Sequence, residues 1–201
     1  MLKAYLMLSS AGIVERLQEG TVEISPFSEV QLRGASYVLR LGNRFRRWMP
    51  GSPLRLWEPN AAGSALAVPE TADNLSLEPS ALVLGCTRER IRLADGIAGQ
   101  LSPLSHVARF GLGVTCGADF INPGFGSSGA SLLTLELYNH NVRPLELRAG
   151  MPIAHLRLIS IGAVYCGDPQ RSIYEGSDPL TDPLLYEEWG VSLGLDVENP
   201  S

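Results

Sequence analysis

Ser131-Leu-Leu-Thr-Leu-Glu-Leu-Tyr-Asn139 alternates apolar and polar residues almost without a break. A period of two belongs to a strand with unlike faces, so Leu133, Leu135 and Leu137 share one face and Thr134, Glu136 and Tyr138 the other. The leucine face predicts a core. The single carboxylate leaves two readings open: Glu136 points to water, or it stands in a site. Working outward, Tyr37-Val-Leu-Arg-Leu41, Ala81-Leu-Val-Leu-Gly85 and Ile153-Ala-His-Leu-Arg-Leu-Ile159 also read as strands. Pro50-Gly, Glu78-Pro-Ser, Asn122-Pro-Gly and Arg148-Ala-Gly break them. Ahead of the strands, Ser9-Ser10 and the run to Gln18 predict a short capped helix ended by Gly20. Many short strands of this kind predict a mainly β chain, a sandwich or barrel. Pro59 to Ser76 reads as an irregular surface excursion. Residues 1–166 are predicted as one domain and 167–201 as a tail or lid. Leu184 to Trp189 could form one helical turn there. With Tyr174, Tyr186 and Trp189, the tail is too aromatic for a solvated linker and is expected to dock.

The bulk composition narrows the function. Of 201 residues, 45% are hydrophobic and 18% charged, which excludes a disordered chain. A net charge of −5 disfavours a grip on a nucleic acid polymer, which needs many phosphate contacts from Lys and Arg. A nucleotide-sized anion needs only a few local donors. Cys86, Cys116 and Cys166 match no metal spacing and no disulfide framework, and His106, His140 and His155 are equally scattered. A zinc deaminase is therefore disfavoured. The apolar patch from Leu2 to Leu8 is too short for a membrane span, and the expected location is the cytoplasm.

Four segments carry a family resemblance. Gly34-Ala-Ser-Tyr-Val-Leu-Arg-Leu-Gly-Asn-Arg-Phe-Arg46, Leu101-Ser-Pro-Leu-Ser-His-Val-Ala-Arg-Phe-Gly-Leu112, Val114-Thr-Cys-Gly-Ala-Asp-Phe-Ile-Asn-Pro-Gly-Phe125 and the strand around Glu136 resemble the dCTP deaminase/dUTPase superfamily. The deaminase branch is the nearer one, and Pro144 to Ala154 resembles its following strand pair. The resemblance implies a dUTPase-like distorted β-barrel of jelly-roll type, with a short helix before the catalytic strands. On the residues alone, Arg40 and Asn43 read as support for the core.

The resemblance also implies a reaction: metal-free hydrolytic deamination of dCTP or a related deoxycytidine nucleotide. Glu136 would be the general acid/base, its carboxyl made more basic by an apolar pocket. Ser105 and Arg109 would join it as catalytic partners. Hydroxyls and a guanidinium near a helix start suit an anion. Ala118, Cys116, Asn122, Phe125 and His106 would line the nucleotide site, and Tyr174 would belong to a closing lid. Mg²⁺ would accompany the phosphates, and the sites would lie between subunits of a homotrimer.

Departures from the family pattern fall mainly on phosphate partners. Pro103 and Leu104 replace a Gly-Arg pair, and His106 replaces a serine. Asn122 replaces an aspartate, and an amide cannot take the proton that dUTPase chemistry requires. Ile173 and Ser177 replace a lysine and a glutamine in the lid. Loss of one guanidinium contact is worth roughly 1.5–3 kcal/mol. Two further readings therefore stand: a catalytically silent nucleotide-binding or regulatory relative, and a deaminase of a monophosphate or modified pyrimidine. Acids of the tail, Glu175, Asp178 and Asp182, would repel a triphosphate unless Mg²⁺ intervened. The extra residues Gly126 to Ser131 would either lengthen a hairpin or reshape the pocket mouth.

Overall fold

A computed structural model describes residues 6–56, 60–161, 174 and 176–184. Its elements are β1 (Leu6–Met7), α1 (Ser10–Gln18), β2 (Val22–Ser25), β3 (Leu32–Arg33), β4 (Ser36–Arg47), β5 (Glu70–Thr71), β6 (Asn74–Leu77), β7 (Leu82–Leu93), β8 (Ile97–Pro103), α2 (Ser105–Arg109), β9 (Leu112–Gly113), β10 (Phe120–Ile121), β11 (Ser131–Asn139), β12 (Leu145–Arg148) and β13 (Pro152–Ser160). The helix at the N-terminus forms as its sequence dictates: Ser9 Oγ accepts from Gly12 N at 3.2 Å, and Gly20 takes φ +70° beyond the end.

Eleven strands form one antiparallel sheet in the order β10-β8-β13-β4-β7-β11-β9, with β1 on β13, β2 on β7, and β3 and β5 on β4. A separate ribbon pairs β12 with β6. The sheet curls because β4 belongs to two halves, pairing with β13 through Tyr37–Arg40 and with β7 through Leu41–Arg47. Leu39, Leu41, Phe45, Leu135, Leu137 and Ile153 are fully buried inside the curl. Each such side chain contributes about 2 kcal/mol by leaving water. The mainly β expectation holds, with one short helix at the start and another ahead of the strand bearing Glu136. No helix among the described residues is long and apolar enough to cross a membrane.

The bend in β4 depends on a residue without a side chain. Between Leu41 and Phe45 the ladder slips, since Leu41 opposes Thr87 and Phe45 opposes Gly85. A Cβ at Gly42 would lie 2.9 Å from the carbonyl oxygens of Cys86 and Thr87. Backbone at that distance has to move, so glycine is required.

Beside this bulge lies a buried ion pair. Glu89 is 0% exposed, its Oε2 accepts from Arg40 N at 2.9 Å, and its Oε1 accepts from Arg40 Nε. Thr87 Oγ1 donates to Glu89 O at 2.7 Å and accepts from Leu133 N at 3.0 Å, bridging the register slip in β11. Arg40 thus supports the core, as the residues alone suggested, through a partner that the sequence reading missed.

The stretch from Pro59 to Ser76 is less irregular than expected. It supplies β5 and the start of β6, and Ala62, Leu66 and Leu75 are buried. Two-residue strands and isolated apolar anchors produce no period to read.

Candidate active site

Alternation in β11 is realised in three dimensions. Leu133, Leu135 and Leu137 are buried, while Thr134, Glu136 and Tyr138 occupy the other face at intermediate exposure. Glu136 is therefore half-buried rather than directed into open water. Its Oε2 is inaccessible to solvent and has no hydrogen-bond partner among the described residues. Burial pushes its carboxyl above the ordinary range, with an opposing hydrogen bond from its own backbone N–H. Glu136 N also donates to Val114 O at 3.1 Å, which brings the loop after β9 alongside the carboxylate.

That loop holds Cys116 and Ala118, both exposed. Partial burial, and then the charge of Glu136, push the Cys116 thiol up. A thiol held protonated is a poor nucleophile. Cys116 thus lies near enough to Glu136 to feel its charge. Gly117 takes φ +103° between Cys116 and Ala118, a conformation that glycine adopts without strain.

Among the described residues, no hydrogen bond or ion pair joins the other candidates to Glu136 within one chain. Ser105, His106 and Arg109 are exposed on α2, anchored by buried Val107. Leu104, not Ser105, is the residue at the helix start, and no side chain caps it. The far end of α2 is tied to the end of β11, because Asn141 Nδ2 donates to Phe110 O and His140 N to Gly111 O. Asn139 anchors the same corner, donating through Nδ2 to Leu77 O and Arg143 O and accepting from Asn141 N. Arg109 has no ion pair among the described residues. Asn122 is exposed in a turn closed by Phe125 N to Asn122 O at 3.3 Å, and Phe125 packs on the main core. Tyr174 Oη accepts from Leu184 N at 2.7 Å. No described hydrogen bond joins any of these side chains to Glu136.

Part of the tail, which was expected to dock, covers the Glu136 face. Residues 178–182 form a strap across β4, β7 and β11. Leu180 is 1% exposed and packs with Ala62, Leu66 and Leu84, and Leu84 is the register partner of Glu136. Thr134 Oγ1 donates to Pro179 O at 2.6 Å, and Arg46 Nη1 donates to Leu180 O at 2.8 Å. Asp178 pairs with Arg44 at 2.7 Å and Asp182 with Arg46 at 2.6 Å. The tail acids expected to oppose phosphate are thus engaged by arginines of β4, and only Glu175 lies outside the described residues. Tail docking is seen for this strap, while Ile173, Tyr186, Trp189 and all of the proposed turn after Leu184 fall outside the described residues. Among the described residues, no three His, Cys, Asp or Glu side chains converge as a metal cage.

Comparison with known proteins gives this geometry a family. The family model for dCTP deaminase-like domains matches residues 7–161. A protein of Methanospirillum hungatei named dCTP deaminase, dUMP-forming, is 32% identical over 156 residues, covering 77% of this chain and 81% of that protein. One of the same name from Mycolicibacterium gilvum is 32% identical over 193 residues, covering 92% and 98%. Among solved structures, the 2'-deoxycytidine 5'-triphosphate deaminase of Agrobacterium tumefaciens superposes with a TM-score of 0.60 at 18% identity. The match covers 80% of this chain and about half, 48%, of that one, and it speaks to the fold alone. With a matched model spanning most of its length and relatives near one-third identity, the chain belongs to the dCTP deaminase-like family.

Proposed function

We propose that the protein deaminates dCTP, or a closely related deoxycytidine nucleotide, to the uracil nucleotide and ammonia. The observation that carries this reading is the solvent-inaccessible, unpartnered carboxylate oxygen of Glu136 on a half-buried strand face. The names of the relatives supply the substrate class.

In the proposed step, Glu136 takes a proton from a water that attacks C4 of the cytosine ring. It returns protons to N3 and to the departing amine, so one water enters and one ammonia leaves. A carboxyl group made more basic by burial suits both halves of this cycle near neutral pH. Backbone groups of the Cys116–Ala118 turn would orient the base. Ser105 and Arg109, exposed on α2 and without a side-chain partner among the described residues, would complete the site of a neighbouring subunit in a homotrimer. Mg²⁺ would enter with the substrate, its ligands being phosphate oxygens and water, a set that suits this ion. We place the protein in the cytoplasm, consistent with the free thiols of Cys86 and Cys116.

A catalytically silent nucleotide-binding relative is the second reading. Leu104 favours it, because its side chain packs on the core where the family pattern has an arginine. One assay separates the two. Purified protein is incubated with dCTP, dCMP, deoxycytidine and dUTP in Mg²⁺, and chromatography follows uracil products and pyrophosphate. Product from dCTP that falls by about 10²–10⁴-fold in Glu136→Gln is the expected result. Product from dCMP alone would move the substrate to the monophosphate. Retained nucleotide binding with no product from any of the four would overturn the deaminase reading.

A further inference from the structure

A second chemical feature lies on the same sheet face as Glu136, beyond the strap. A groove of about 460 Å³ is lined by Arg44, Arg88, Arg90, Asn43, Cys86 and Asp73, among others. Arg90 opposes Leu132, four residues along β11 from Glu136 and roughly 13 Å away at the usual strand rise. Between them, Thr134 holds the strap through Pro179. The groove is therefore separate from the Glu136 site.

Its charge is unusual for this chain. The whole protein carries −5, yet the groove lining holds three guanidinium groups and one carboxylate, that of Asp73. Arg88 is exposed and has no ion pair among the described residues. Arg90 makes a long contact of 3.4 Å to Ala130 O. Arg44 already accommodates an anion, since Asp178 reaches it from the strap. At the groove floor burial pushes the Cys86 thiol up, opposed by a hydrogen bond to Arg44 O and by the charges of Arg44 and Arg90.

Asp178 occupies the Arg44 fork, and against the one lining carboxylate, Asp73, stand Arg88 and Arg90, an excess of guanidinium groups that suits an anion with several oxygens. We propose that this groove binds a polyphosphate, as the phosphate chain of a nucleotide or as the free anion, and that Asp178 competes with it for Arg44. The competitor sits on the strap that covers the Glu136 face, so occupancy of the groove would loosen that cover.

The test is a titration of the full chain with tripolyphosphate, followed by calorimetry. Arg88→Ala/Arg90→Ala should weaken binding by about tenfold or more. Asp178→Asn, which frees Arg44, should strengthen it. Arg109→Ala should remove at most a separate phase belonging to the Glu136 site and leave the phase that depends on Arg88 and Arg90 intact. Equal affinity in wild type and the double variant would overturn the proposal, as would a loss confined to Arg109→Ala. Displacement of tripolyphosphate by ATP would identify a nucleotide chain as the source, and displacement by pyrophosphate alone the free anion. Displacement by neither would also overturn it.

Discussion

A carboxylate with one oxygen shut away from water lowers the stability of its own protein once ionised. For Glu136, burial raises the folded-state pKa above the unfolded value. Its contribution to stability is then fully present below the unfolded pKa and is lost as pH rises through the folded one. Glu136→Gln should therefore gain about 1 kcal/mol over wild type at pH 7, a gain that disappears below about pH 4. Urea denaturation at both pH values reads this directly, and an equal gain at both would remove burial of charge as the cause. Glu136 was legible in the sequence because strict alternation fixed its face. Its cover was not, because Thr134 and Pro179 meet across 45 residues of chain.

Among the elements, β7 shows how far local pattern reaches. Ala81 to Gly85 announces a strand, but the observed strand continues to Leu93 through Thr87, Arg88, Glu89 and Arg90. Those polar residues hide the continuation, since Glu89 occupies a buried position that sequence rules reserve for apolar side chains. The partner that makes this tolerable, Arg40, lies 49 residues earlier. Glu89→Ala should cost about 3 kcal/mol or more, because it leaves a mostly buried guanidinium uncompensated. A midpoint shift in chemical denaturation worth less than about 1 kcal/mol would mean that water reaches Arg40 instead. The edge strands β5, β9 and β10, two residues each, were invisible for a simpler reason: nothing repeats in them.

At the scale of the whole molecule, the proposal that Ser105 and Arg109 serve a neighbouring subunit's Glu136 leads to a subunit-mixing experiment. Glu136→Gln and Arg109→Ala, each inactive alone, should regain activity when co-expressed if the two residues belong to facing subunits. Random assembly would restore about a quarter of the sites. Co-expressed variants as inactive as each alone would show that one chain supplies both groups, and native mass spectrometry gives the subunit number. The family motifs made the candidate residues legible. They did not reveal the strap or the arginine groove, because Arg44 meets Asp178 across 134 residues and their pairing leaves no local pattern.

Gly42 stands midway between two arginines with opposite tasks, one holding Glu89 in the interior and the other holding Asp178 on the outer face. A methyl group added there would prise the bulge away from its neighbour and unsettle both attachments in one stroke. Inside and outside of this protein thus share a hinge a single hydrogen wide, and damage at that point would surface far along the chain, in the tail.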